Sequence, residues 1–208
     1  MNTPPRISLI ISIILLLHSV NVHAQRLEVH PNLDLSTNTI SNKVWGVGAA
    51  VDLDQWVKNT IFRVNFNWGM SPDRSSTDKT NPRYQKFSGG VSVLYSLKII
   101  EKLTFRCGAD LDYTHLRYSH VYGEDTISKP TKLLTWLQTG NFIGIGPHIS
   151  FQYELTSRFN IALNVIPTYL IPVKATSNIA TMESEYRKGL WLFQFQFGVS
   201  YKLFKHNQ

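Results

Sequence analysis

The chain has 208 residues, a formal net charge of +7 and one cysteine, Cys107. A single cysteine excludes an internal disulfide framework, so stability has to come from backbone pairing and packing. The basic residues are scattered, with no dense Lys/Arg tract; this excludes the usual nucleic-acid-binding arm and leaves a solvated basic surface or attraction to anionic lipid phosphates.

Residues 1–24 read as a secretory signal peptide. Arg6 supplies the basic start, Ile7 to Leu17 is almost wholly aliphatic, and Val22-His23-Ala24 has the form of a small-residue cleavage site. The run is too short to cross a hydrocarbon layer of roughly 30 Å as a helix. No cysteine follows directly on Ala24, so no lipoprotein anchor is expected. Residues 25–208 are expected to form one domain.

Within that domain, apolar and polar residues alternate in about eight segments, the period of a strand and not of a helix. The first runs from Leu27 to Leu35, with Glu28, His30 and Asp34 on its polar side, and the second from Val44 to Leu53, with Asp52 opposing Trp45, Val47 and Val51. The third is the cleanest: Phe62, Val64, Phe66, Trp68 and Met70 oppose Arg63, Asn65 and Asn67. Phe87 to Leu97 and Leu103 to Tyr113 follow, the latter with Arg106, Asp110 and Asp112 opposite its apolar side, which includes Cys107. Ile143 to Tyr153 carries His148 among its polar positions, and Phe159 to Tyr169 comes next. The last segment, Phe193 to Leu203, places Phe193, Phe195 and Phe197 on one side and Gln194, Gln196 and Lys202 on the other.

The connections alternate in length. Asp54 to Asn59, Lys98 to Lys102 and Glu154 to Arg158 are short, whereas Ser71 to Arg83, His115 to Lys132 and Pro172 to Lys188 are long and polar and Ser36 to Lys43 is intermediate. Short turns at one end and long loops at the other are the signature of an up-and-down outer-membrane barrel. Several segments are long enough to match the roughly 9–11 tilted residues that cross the hydrocarbon layer, more than the usual strand length. Tyr and Trp gather near segment ends, where membrane interfaces need them. Burying eight large apolar faces in a water-soluble single layer would take another element to cover them, and none is available. The fold class is therefore all-β, an eight-stranded antiparallel up-and-down transmembrane β-barrel. Phe62, Val64, Phe66, Phe193, Phe195 and Phe197 are expected to face lipid. Glu28, Asp34, Asp52, Arg63, Arg106, Asp110, Asp112 and Lys202 are expected to form a charge network in a lumen just wide enough for side chains to fill.

The export signal ending at Ala24, the eight alternating segments and the terminal stretch FQFQFGVSYKLF together resemble the small eight-stranded outer-membrane β-barrel proteins of Gram-negative envelopes, the OmpX-like group. The resemblance implies an integral, multi-pass location in the outer membrane, contact with membrane lipid and lipopolysaccharide, and handling by the barrel-assembly machinery. Phe204 looks like the terminal aromatic residue which that machinery reads, although Lys205 to Gln208 follow it. The implied role is structural or surface-interacting, with a porin-like wall but a plugged lumen.

Two other readings compete. One is a lipid-A-modifying barrel enzyme using His115, His120, Ser119 and Glu124; neighbours on a strand point to opposite sides, so the spacing makes no triad by itself. The other is an exported soluble lipocalin-type barrel with an apolar ligand inside, which reverses every side assignment. His30 and His148 lack an identified third ligand, so no metal site is expected. GNFIGIG has no following helix and is not a nucleotide fingerprint. No cofactor, catalytic residue or nucleic-acid partner is expected, and the sequence does not identify an external ligand.

Overall fold

A computed structural model describes residues 26–38, 43–54, 59–71, 83–125, 132–178 and 185–203. The expected signal peptide, residues 1–24, and Phe204 lie outside them. Eight strands follow in chain order: β1 (Arg26–Asn38), β2 (Lys43–Asp54), β3 (Thr60–Met70), β4 (Arg83–Ile100), β5 (Leu103–Asp125), β6 (Lys132–Glu154), β7 (Phe159–Ser177) and β8 (Leu190–Lys202). Each pairs antiparallel with the next, and β8 returns to β1 from Glu28↔Lys202 to Asn38↔Leu192, so the sheet closes into a barrel. Closure pairs the edges that an open sheet would expose, a requirement wherever lipid and not water surrounds the backbone.

Alternation fixes the faces. In β8 every second residue from Leu190 to Lys202 is buried, and the residues between are exposed or half-buried. The connections at Glu101-Lys102 and between Glu154 and Phe159 are tight. In the latter, the amides of Leu155 and Thr156 donate to the Phe159 carbonyl at 2.9 and 3.1 Å, and the Phe159 amide donates to Thr156 Oγ1 at 3.1 Å. Asn59, at the end of the β2–β3 connection, has φ of 63°, a left-handed conformation that asparagine adopts more readily than most residues.

Two expected loops are in part strand. β5 and β6 are 23 residues each, and pairing continues through His115↔Asn141 and Ser119↔Leu137 to Asp125↔Lys132. Beyond Ser119 and Gln138, where pairing with β4 and β7 ends, residues 120–125 and 132–137 continue as a two-stranded ribbon, and β7 likewise extends through Pro172 to Ser177. Strands this long exceed the roughly 9–11 residues that span the hydrocarbon, so the ribbon projects beyond it. Outside lipid a strand needs no apolar face, and its polarity on both sides resembled that of a loop.

Gly108 shows how closely the strands approach. A Cβ there would be driven into the Val93 carbonyl of β4, which is backbone and cannot turn away. Gly108→Ala is expected to cost about 1–3 kcal/mol through overpacking, read as a lower urea midpoint in a gel-mobility unfolding assay.

Candidate functional site

The inward face begins as a set of side chains that water would normally hold. Arg63, on β3, is 1% exposed, and Glu28, Asp34, Asp52, Asp110 and Asp112 are buried beside it in the barrel. Buried charges persist when paired, and the register supplies the pairs: Asp52 lies directly across from Arg63 and from Glu28. Arg63 grips Asp52 with two bonds, Nε to Oδ1 at 2.6 Å and Nη2 to Oδ2 at 2.9 Å, the forked geometry that suits guanidinium to carboxylate. Its third nitrogen reaches across the lumen, donating to Asn164 Oδ1 at 3.0 Å and lying 3.3 Å from His148 Nε2.

Arg106 adds a second cation, with Nη1 2.6 Å from Asp52 Oδ2 and Nη2 3.5 Å from Glu28. His30 Nε2 lies 2.8 Å from Asp52. Asp110 accepts from Ser92 Oγ and, at 3.3 Å, from Asn65, with His148 at 3.6 Å; Asp112 accepts from Thr114 at 3.1 Å. Hydroxyl and amide donors therefore serve the carboxylates that no cation reaches.

A separate pair sits nearer the long-connection end. Lys86 Nζ is 2.5 Å from Asp34 Oδ2 and donates to Gln194 at 2.9 Å. Lys86 was missed because it immediately precedes the expected start of the fourth segment. The alternation of Lys86, Ser88 and Ser92, all buried, carries the signal. Lys202 is buried but stands apart at the short-turn end, 3.4 Å from Glu154.

Glu28, His30 and Asp52 bring potential ligand atoms within 4.8 Å of one another. Both Asp52 oxygens are already taken by the guanidinium groups of Arg63 and Arg106, whose charges oppose a cation at that point.

The interior is not polar throughout. Toward the long-connection end Leu116, Phe142, Leu170, Leu190 and Leu192 form an apolar cluster, and Tyr186, from a short 3-10 turn at Glu185–Arg187, inserts into it. The Tyr186 ring meets Phe142 edge-on, with centroids 5.8 Å apart. This corrects the expectation of a uniformly polar lumen. The cluster assembles from a segment expected to be loop and from inward positions beyond the limits expected for the strands. At the other end a polar cavity of about 270 Å³ has Glu28, Arg106 and Gln152 in its lining.

Of the proposed enzymatic group, His120 shares a face with Tyr118, whose ring it stacks on at 6.4 Å, and the adjacent Ser119 takes the opposite face. His115 Nδ1 lies 2.6 Å from Asn141. The Glu124 side chain lies outside the described set. The strand geometry separates Ser119 from His120 and gives no nucleophile–base contact.

The outside is the reverse of the inside. Phe66 is 52% exposed and Phe197 54%, with Phe193 and Phe195 also exposed, and Phe62 and Val64 half-buried. Aromatic rings gather toward both ends. Tyr169 and Trp191 pair at 5.3 Å on the long-connection side, and Phe159 and Tyr201 at 4.9 Å on the short-turn side. An apolar exterior around a charged interior excludes a soluble lipocalin-type barrel, whose faces are the opposite way round.

No protein-family model and no curated protein matches the sequence. Solved structures do match. Neisserial surface protein A has a TM-score of 0.56 at 14% identity, over 86% of this chain and 96% of that one. A major outer membrane protein from Thermus thermophilus has a TM-score of 0.58 at 11% identity, over 85% and 99%. The fold is the small outer-membrane β-barrel. At these identities the likeness is one of architecture: an eight-stranded wall carries an interior and loops particular to each chain. The apolar exterior makes this barrel an integral, multi-pass membrane protein.

Proposed function

We propose that the protein is an integral outer-membrane barrel of the cell envelope with a structural or surface-interaction role and no enzymatic activity. The barrel-assembly machinery folds it, with Phe204 as the signal, after export and cleavage at Ala24. The long connections and the β5–β6 ribbon face the outside, and the short turns face the periplasm, the orientation common to such barrels.

One observation supports this reading above the others: the lumen is occupied, by ion pairs around Arg63 at mid-height and by Tyr186 packed among leucines nearer the outside. A wall closed in this way transports nothing and offers its exterior, rim and ribbon for contact. Purified protein in planar lipid bilayers is expected to show negligible conductance; stable, reproducible channels would overturn the sealed-lumen reading. Membrane-extracted protein is expected to migrate differently on gels before and after heating. Lipid A profiled by mass spectrometry is expected to be the same with and without expression.

A further inference from the structure

At the short-turn mouth, side chains from seven of the strands surround the polar cavity of about 270 Å³ without filling it. Small-molecule pockets are roughly 300–1,000 Å³ and lined mainly by apolar and aromatic side chains. This one is slightly smaller and of the opposite character: among the described residues Ile61 is the one apolar residue in its lining, and no aromatic ring joins it. An acyl chain or a flat aromatic ligand therefore finds no complementary surface. Both signs of charge are present instead, Lys98, Lys102 and Lys202 beside Glu101 and Glu154.

The buried part of the lining lacks partners. Arg106, Gln152 and Asn160 are all buried, yet among the described residues Arg106 Nε and Gln152 Nε2 have no acceptor and Asn160 Oδ1 has no donor. Buried polar groups are normally paired, and one left alone carries the full cost of its desolvation. A peptide group has both missing partners, a carbonyl oxygen for the donors and an N–H for the acceptor. The charged groups stand nearer the turns. Lys98, on β4, is exposed. Glu154, on β6, lies directly across from Asn160, and its side chain is 43% exposed, with Lys202 at 3.4 Å. Lys98 and Glu154 are two strands, and so about 10 Å, apart around the ring. An extended dipeptide of about 7 Å bridges that gap with a hydrogen bond at each end.

We infer that the short-turn mouth is a binding site for a zwitterionic dipeptide, its carboxylate held by Lys98, its ammonium by Glu154 and its peptide group by Gln152 and Asn160. The inference rests on the outer-membrane reading for the source of the ligand: with the short turns in the periplasm, the peptide comes from there. Behind the cavity Arg106 is tied to Asp52, and Asp52 to Arg63, so the ligand is held at the mouth and not passed through the barrel. The small volume admits a whole dipeptide and not a longer chain with both charged ends in place.

The test titrates the full-length protein in mild detergent with isotope-labelled alanylalanine, N-acetyl-alanylalanine, alanylalanine amide and tetraalanine, with binding read by ligand-observed NMR against a detergent blank. Alanylalanine is expected to bind, and each of the other three to bind about tenfold more weakly. Glu154→Gln is expected to weaken alanylalanine about tenfold and to leave the acetylated peptide, which has no ammonium, unchanged; Lys98→Met is expected to do the same with the amide, which has no carboxylate. Ser96→Phe, which fills the mouth, is expected to abolish binding. Heat-modifiable migration shows that each variant still forms the barrel. Alanylalanine signals equal to the blank, equal binding of all four peptides, or unchanged binding in a folded Ser96→Phe protein would each overturn the site. Protease accessibility of the long connections in intact cells tests the orientation separately. Long connections outside with no dipeptide binding refutes the site alone, and long connections inside refutes the underlying reading and the periplasmic source with it.

Discussion

Arg63→Met lowers the unfolding free energy of the barrel by about 3–5 kcal/mol, the cost of removing the forked partner of a buried carboxylate. Arg63 joins strands distant in sequence, holding Asp52 by two bonds and crossing the lumen to Asn164 and His148. After the substitution Asp52 keeps Arg106 and His30, so the barrel still closes but its wall loses the cross-lumen tie. Urea titration in phospholipid vesicles, followed by gel mobility, reads the change. Adding Asp52→Asn to Arg63→Met removes the charge left with fewer partners and recovers part of the loss. A cost below about 1 kcal/mol, the range of an exposed ion pair, would show that the network is solvated and not structural.

The second large effect separates the two faces of β3. Phe66→Arg, at mid-strand and exposed on the outside, costs about 2–4 kcal/mol, because a guanidinium near the bilayer midplane has no water to meet it. Its neighbour Asn65 faces inward and donates to Asp110. Asn65→Ala costs about 0.5–1.5 kcal/mol, the range for one hydrogen bond, since Ser92 still serves that carboxylate. The same vesicle titration compares them. Equal costs would mean that acyl chains do not solvate the phenylalanine face.

The third and eighth segments were legible because membrane and lumen impose opposite chemistry on alternate residues. Phe62 to Met70 and Phe193 to Leu203 lie within a few residues of β3 and β8. Where the chain leaves the hydrocarbon that contrast vanishes, so the outer halves of β5 and β6 looked like loop and their pairing became visible only in the register. Lys86 was lost for a related reason, since it lies in the part of β4 that precedes the clear alternation. Ser119 and His120, adjacent in sequence, fall on opposite faces of β5.

The amino-acid sequence by itself determined the strand count, the alternation and which residues share a face, because these follow from a local period of two set against the chemistry on either side. It placed Asp52 and Arg63 on the same inward side without joining them. Only the tertiary structure decided the partners: closure brings β6 and β7 across the lumen from β3, so that His148 and Asn164 meet Arg63 from sequence positions 85 and 101 residues away. It also turned Tyr186 inward among Leu116, Phe142 and Leu170 at the long-connection end. Such contacts depend on register and shear around the whole ring, which no single segment encodes.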